Sequence, residues 1–193
     1  MSQITQPSDL LPLGEIIKDM MADKYCWQAL LTDDNQLRLY LGTGVSSSIE
    51  PELNEQQEWI FRGQTNSWKL ESVNQATSYS DEDELGFIEF GHQIITTSQE
   101  NAASINEKLR VLERTYLIFF GFPYTTFDLS ITFDPQPKLN FDPQPELAFS
   151  LKYRLTLMPD LEADLPYWEF ITPNQMLLKF GPGKAWYHTV LQP

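Results

Sequence analysis

The chain has few of the residues on which catalytic and metal sites are usually built. Its 193 residues include one cysteine and two histidines, and no Ser, Cys or metal ligand is spaced to pair with either histidine. Cys26 cannot form an internal disulfide, and its neighbours Tyr25 and Trp27 predict a small buried side chain. No glycine-rich phosphate loop is present. We therefore expect no enzymatic activity, no metal and no cofactor.

Basic residues are also scarce. Thirteen Lys and Arg face 27 Asp and Glu, for a formal net charge of −14. Residues 1–100 hold 5 basic and 17 acidic side chains, a net of −12. Because phosphate contacts need local positive charge, this half is not expected to bind naked nucleic acid. The acidity suits a larger basic protein partner by electrostatic complementarity, and the alternative is a surface that is acidic only for solubility.

Long apolar runs are absent as well. No stretch approaches the 18 consecutive apolar residues of a membrane-spanning helix. The first ten residues lack the basic and apolar regions of a secretory signal. The lone cysteine fits a reducing compartment. We expect a cytoplasmic protein with no membrane contact.

Apolar spacing predicts one helix near the start of the chain. Behind a possible cap at Ser8 or Asp9, apolar residues recur at intervals of three and four, as on one face of an amphipathic helix: Leu10, Leu13, Ile16, Ile17, Met20 and Met21.

The rest of the chain is rich in strand patterns. Residues 25–31 and 36–41 predict a hairpin across 33–35, and residues 58–61 and 67–73 predict a second one. Strict alternation over 127–133 and 149–157 predicts strands with one buried and one solvated face. Segments 85–97 and 107–120 fit helix or strand, with 116–120 favouring strand. We predict one α+β, strand-rich domain over 1–193, with antiparallel sheet and an N-terminal amphipathic helix.

A short repeat predicts a projecting loop. Phe133-Asp-Pro-Gln-Pro137 recurs as Phe141-Asp-Pro-Gln-Pro145, and these prolines remove backbone donors and force an extended chain. We expect the proline-rich loop at about 134–145 to be a second docking element.

The second predicted hairpin is the most distinctive local feature. It combines Trp59 and Trp68 with Arg62 at the turn, and such residues are typical of protein contacts or of stacking on a base. The alternative is a core hairpin whose Arg62 pairs with a nearby carboxylate. Lys152 and Arg154 share one predicted solvated strand face and form a small basic patch. These five residues are the candidate partner contacts.

Several of these segments, in order, resemble the small accessory subunit of type III-D CRISPR effector complexes. They are Trp27-Gln-Ala-Leu-Leu, Leu37-Arg-Leu-Tyr-Leu, Gln57-Glu-Trp-Ile-Phe61 with Trp68-Lys-Leu, and Leu109-Arg-Val-Leu-Glu-Arg-Thr-Tyr116. The resemblance covers about the first two-thirds of the chain. It implies a protein-contact role beside basic, guide-binding subunits, with cleavage performed by other subunits.

A second resemblance is to the FRG domain, named for its Phe-Arg-Gly motif. Phe61-Arg62-Gly63-Gln64, followed by Trp68 and Leu70, is similar to its opening. The Pro-Ser and Arg that usually follow are absent. The later aromatic-Gly-x-Pro-Thr stretch is matched only in part by Phe120-Gly-Phe-Pro-Tyr-Thr125.

These observations predict a non-catalytic protein-contact subunit of an RNA-guided antiviral ribonucleoprotein. Its RNA contact would be indirect or minor. One alternative is an acidic inhibitor or immunity protein that blocks a basic nucleic-acid-binding or active site. A second is an enzyme that uses a carboxylate with one histidine, His92 or His188.

Overall fold

The computed structural model describes residues 2–4, 24–43, 59–64, 67–79, 85–121, 128–135, 149–160, 167–173, 175–181 and 186–190. These residues form twelve strands and one α-helix. The strands are β1 Ser2–Ile4, β2 Lys24–Leu31, β3 Leu37–Thr43, β4 Trp59–Gly63, β5 Trp68–Tyr79, β6 Leu85–Thr97, β7 Tyr116–Gly121, β8 Leu129–Asp134, β9 Phe149–Leu157, β10 Trp168–Ile171, β11 Met176–Phe180 and β12 Trp186–Val190.

The strands form one sheet in the order β1-β12-β11-β10-β4-β3-β2-β7-β8-β9-β5-β6. Neighbouring strands are antiparallel throughout. The ladder is narrowest between β2 and β7, which pair only at Tyr25 and Tyr116. This narrow joint divides the sheet into a seven-strand layer, β1 to β2 in that order, and a five-strand layer, β7 to β6.

The two layers pack face to face. Strands β7 and β10 are four places apart in the sheet, which is roughly 19 Å along a flat ladder. Yet the rings of Phe120 on β7 and Phe170 on β10 are 5.1 Å apart, centroid to centroid. Gly63 on β4 likewise lies against Leu157 on β9, since a Cβ added at Gly63 would overlap Leu157 Cδ2. The sheet therefore folds back on itself at the narrow joint and encloses one core.

One helix, α1 Ala102–Leu109, covers the edge of β2 beyond the joint. Asn101 caps it, since its side chain accepts a 2.9 Å hydrogen bond from Ser104 N. Ile105 and Leu109 are spaced by four residues and are both fully buried. A short 3-10 helix, Arg110–Leu112, then leads into β7.

The predicted α+β class was wrong. The described residues form a sheet protein with a single eight-residue helix, and that helix lies between β6 and β7. The amphipathic helix predicted over 10–21 lies outside the described residues, as does most of the proline-rich segment at 134–145. The predicted antiparallel sheet is confirmed.

The second predicted hairpin was also wrong. β4 pairs with β3 and β10, whereas β5 pairs with β6 and β9. These two strands follow each other in the chain but belong to opposite layers. The first hairpin is confirmed, with Leu31 opposite Leu37 and Asn35 at a positive φ of 58° in the turn. The strand preference at 116–120 is confirmed by β7.

Candidate protein-contact surface

The two candidate tryptophans lie in the core. Trp59 is 9% exposed and Trp68 is 2% exposed. Because their strands belong to opposite layers, they do not flank one turn with Arg62. Of the three residues of the predicted contact hairpin, Arg62 alone has a substantially exposed side chain, at 32%. Any partner contact by this group therefore falls to Arg62.

Arg62 lies on the outer face of the seven-strand layer, within a row of charged residues. It stands directly opposite Arg38 on one side and Glu169 on the other, and its NH1 is 3.8 Å from Glu169 Oε2. A hydrogen bond from Thr32, together with the fields of Arg38 and Arg62, holds the pKa of Asp34 below its ordinary value. Glu169 and Asp34 thus place negative charge beside the two opposed arginines.

Lys152 and Arg154 share one face of β9, as predicted, but that face is not solvated at Lys152. Lys152 is 8% exposed and forms an ion pair with Asp134, itself 9% exposed. In a buried ion pair of this kind, each charge offsets the cost of burying the other, because either charge alone would be unfavourable inside the protein. Lys152 is therefore a structural cation in this fold.

Arg154 belongs to an ion network centred on Glu71, which is 5% exposed. Glu71 Oε2 lies 2.7 Å from Lys69 Nζ, and Oε1 lies 3.6 Å from His92 Nδ1 and 3.9 Å from Arg154 NH1. Arg154 also pairs with Glu89, and this hydrogen bond is the main cause of a lowered pKa of Glu89. The network places a histidine beside a carboxylate, but this carboxylate is shared among three basic side chains. Its evident role is to tie β9, β5 and β6 together.

On the opposite face of the same three strands lies an exposed apolar cluster. Ile88, Phe90 and Leu151 are 57%, 41% and 41% exposed; we call these three residues the apolar patch. Asn74 on β5 stands opposite both Phe90 and Leu151, and Ala76 stands opposite Ile88. Since residues paired across a ladder point to one side, and residues two apart along a strand do too, the patch occupies a single face.

The patch lies on the side of the five-strand layer that faces the core. Leu70 and Leu155, which are paired with each other, continue the same alternation and are fully buried. On the same face, Leu151 further along β9 and Phe90 on β6, which neighbours β5, are exposed to solvent. This face is therefore buried at Leu70 and Leu155 and exposed at Phe90 and Leu151. A group of exposed apolar residues on one sheet face is a candidate protein-binding surface.

Strand β6 forms the outer edge of this region. It is 13 residues long, contains no Lys, Arg or Pro, and holds one carboxylate, Glu89. In the sheet order of the described strands it comes last. Exposed edges in soluble proteins are usually short or are blocked by lysine, proline or a covering segment. The sequence of β6 contains neither of these blocking residues.

Two further exposed apolar residues lie on β7. Ile118 and Phe119 are 44% and 48% exposed and sit at an irregularity in the β7–β8 register between Leu117 and Phe119. A bulge turns neighbouring side chains out of their regular alternation, which accounts for two consecutive exposed residues. They lie on a different strand from the patch.

Sequence reasoning missed the apolar patch. The segment 85–97 fitted helix or strand, and Leu151 belonged to the face of β9 that was predicted to be buried. The available signal was the combination of an apolar strand with no basic residue or proline in its length. That signal gains its meaning only once β6 is known to be an edge.

Within the described ranges, no helix is long and apolar enough to cross a membrane. In the same parts of the chain, no group of three or more His, Cys, Asp or Glu side chains could hold a metal ion. Comparison of the chain with protein-family models, with curated proteins and with solved structures finds no match.

Proposed function

We propose that this protein is a non-catalytic subunit that works by binding other proteins through the apolar patch. The observation that carries the proposal is the exposure of Ile88, Phe90 and Leu151 on a face that is buried elsewhere in the same layer. Leaving such side chains in water is unfavourable, at about 25 cal/mol per Å² of apolar surface. A partner that covers them recovers this free energy.

The charge distribution supports a basic partner. The net charge of −14, most of it in the first hundred residues, attracts a cationic surface over the Debye length of about 8 Å at physiological salt. The patch itself is free of charged residues, so burial there costs no ion desolvation. Charge would steer the encounter, and the patch would hold the complex.

The resemblance described above suggests which assembly this is. A small acidic subunit beside basic, guide-binding subunits of a type III CRISPR effector complex would have this charge balance and would need no catalytic residues of its own. We propose that assembly, acting in the cytoplasm in antiviral defence, as the setting of the protein. In it, contact with RNA would be indirect or minor.

Affinity purification from the native host at low salt, with mass spectrometry and RNA extraction, tests the proposal. The test variant is Phe90→Ser with Leu151→Ser. The matched control is Ile118→Ser with Phe119→Ser, which removes a similar apolar area elsewhere. We expect wild type and control to recover several stoichiometric proteins with a uniform short RNA, and the patch variant to lose them.

Other outcomes decide against this function. Recovery of one basic protein and no RNA would favour the acidic inhibitor. Equal recovery by the patch variant and the control would show that the patch is not the binding surface. If wild type recovers no protein at any salt concentration, the contact-subunit function is overturned.

A further inference from the structure

We infer that Arg38 and Arg62 form a binding site for the phosphate of a single nucleotide unit, and that Tyr40 stacks on the base of that unit. The unit is a free nucleotide or one residue of a single strand. The site lies on the outer face of the seven-strand layer. The apolar patch lies in the five-strand layer, so the site does not depend on the function proposed above.

The first argument is the placement of two like charges. Residues 1–100 contain 17 acidic side chains and only two arginines, Arg38 and Arg62. These two arginines stand directly opposite each other on β3 and β4. Like charges at directly opposed positions are unfavourable in a sheet. An anion bound between the two guanidinium groups relieves their repulsion and gains charge-assisted hydrogen bonds from both.

The second argument is that these guanidinium groups keep most of their hydrogen-bonding capacity. Each has five N–H donors. Arg38 Nε donates a 2.7 Å hydrogen bond to Gln36 Oε1, a neutral acceptor. Arg62 NH1 is 3.8 Å from Glu169 Oε2, too far for a hydrogen bond, and Arg62 Nε is buried without a partner among the described residues. A guanidinium held this loosely can turn toward a stronger acceptor such as a phosphate oxygen.

The third argument is the local charge balance. The paired residues that cross β3, β4, β10 and β11 at this level are Arg38, Arg62, Glu169 and Lys179. Glu169 stands between Arg62 and Lys179, so one carboxylate serves two cations. Asp34, in the turn before β3, is the other carboxylate near the pair. Three cations therefore meet two carboxylates, on a chain whose net charge is −14. This local excess of positive charge favours an anion.

The fourth argument selects a nucleotide among the possible anions. Tyr40 follows Arg38 by two positions and is paired with Ile60, which precedes Arg62 by two positions. Tyr40 and Ile60 therefore lie on the same face, beside the arginines. All four side chains are half-buried. An aromatic ring stacks on a base, and an arginine pair binds the phosphate attached to it. A carboxylate of a partner protein would use the arginines and leave the ring without a role.

The charge of the whole chain limits the ligand to one unit. A duplex or a long strand would bring a row of phosphates past a surface of net charge −14, which repels them. A single phosphate needs only local contacts, and arginine binds phosphate through two parallel N–H···O bonds. A chain that is not expected to bind naked nucleic acid can therefore hold one nucleotide.

Isothermal titration calorimetry of the purified full chain with adenosine monophosphate at low salt tests the inference. We expect wild type to bind, and Arg38→Gln with Arg62→Gln to raise the dissociation constant about tenfold or more. The control Arg110→Gln removes an exposed arginine elsewhere and should bind as wild type does. A wild type that does not bind, or a control weakened as much as the double variant, overturns the site.

The variant Tyr40→Leu separates a nucleotide from other anions. It should weaken the binding of adenosine monophosphate about fivefold or more through lost stacking, and leave the binding of inorganic phosphate unchanged. Glutarate serves as the carboxylate probe. If glutarate binds as tightly as adenosine monophosphate and Tyr40→Leu has no effect, the arginines are a contact for a protein carboxylate, and the nucleotide assignment is overturned.

Thermal unfolding shows whether the variants are folded. Without ligand, the double variant should differ little from wild type in Tm, because losing the weak pair with Glu169 is offset by relief of the repulsion. Adenosine monophosphate should raise the Tm of wild type and not that of the double variant. If the double variant does not fold, Arg62→Lys takes its place, since lysine keeps the charge and lacks the planar fork. Binding by Arg62→Lys as tight as that of wild type overturns the site.

Comparison with a short single-stranded oligoadenylate identifies the source of the nucleotide. Tighter binding of the oligomer, lost in the double variant, indicates one residue of a strand, and tighter binding of the monophosphate indicates a free nucleotide; both support the site. The variant Phe90→Ser with Leu151→Ser should bind nucleotide as wild type does, which separates this test from the test of protein partners. Loss of nucleotide binding in that variant overturns the location on the outer face.

Discussion

The side-chain amide of Asn106 binds the backbone of Leu31 as a neighbouring strand would. Its Oδ1 accepts a 2.6 Å hydrogen bond from Leu31 N, and its Nδ2 donates a 3.1 Å hydrogen bond to Leu31 O. Strand β2 pairs with β7 only at Tyr25, so no described strand lies beside the far end of β2 on the side away from β3. One asparagine on α1 satisfies both backbone groups at that end.

Replacing this asparagine is expected to cost stability. In Asn106→Ala, the N–H and C=O of Leu31 lose their partners in a partly buried position, at a cost of about 1–3 kcal/mol. Urea unfolding measures the change. Asn101→Ala, which removes only the helix cap, should cost about 1 kcal/mol and serves as the control. An Asn106→Ala variant as stable as wild type would show that water replaces the amide.

The glycine of the Phe-Arg-Gly motif has a packing role. A Cβ at Gly63 would overlap Leu157 Cδ2 across the core, and Leu157 is 1% exposed. We expect Gly63→Ala to destabilise the protein by about 1–3 kcal/mol through overpacking. In the double variant with Leu157→Ala, the new methyl group has room. The double variant should therefore lose less stability than the sum of the losses in the two single variants. Strict additivity would contradict this close approach.

The candidate contact residues separate into structural and surface roles. Trp68→Ala empties a core site and should cost about 3–5 kcal/mol, with a clear fall in Tm. Arg62→Ala removes a partly exposed ion pair and should cost about 1 kcal/mol or less. Thermal unfolding compares the two. If Arg62→Ala releases protein partners at unchanged Tm, its predicted contact role is confirmed.

The Arg154–Glu89 pair predicts a pH dependence of stability. Because Arg154 lowers the folded-state pKa of Glu89, the stabilisation is complete above the unfolded-state pKa of about 4.3 and is lost as pH falls through the folded-state value. Wild type should therefore exceed Glu89→Gln in Tm at neutral pH, by the equivalent of about 1 kcal/mol or less for this partly exposed pair. The difference should vanish in acid.

Glu107→Gln is a suitable control for that comparison, since Glu107 is exposed on α1. Its Tm should follow that of wild type across the same pH range. A Glu89→Gln variant that keeps a constant difference from wild type at all pH values would contradict the ion-pair explanation.

Local sequence patterns predicted strands well and their neighbours poorly. The Asp33-Asp34-Asn35 turn and the alternation in β8 and β9 are local signals, and the structure confirms the strands they predict. The predicted solvated face of β8 was wrong, since Thr132 and Asp134 are buried. The pairing of β4 and β5 was wrong because a short link between two apolar strands fits a hairpin and a crossing between layers equally well. Sheet order depends on distant pairings that no local window contains.

The candidate site was less predictable for the same reason. Alternation along β9 suggested that Leu151 is buried and Lys152 solvated, whereas Leu151 is 41% exposed and Lys152 is 8% exposed. Both outcomes depend on which strands lie beside and above β9. Asp134, the last residue of β8, supplies the partner that lets Lys152 be buried.

The position of β4 has a consequence for how the protein folds. Phe61 is in register with Phe170, more than a hundred positions further along the chain. Likewise, β6, α1, β7 and β8 lie in the sequence between β5 and its neighbour β9. Pairings of such long range make folding slow. During synthesis, β4 can pair with β3 before β10 has been made, so we expect one edge of β4 to stay unpaired until β10 follows. We expect the acidity of the first hundred residues to keep such unfinished chains apart by mutual repulsion.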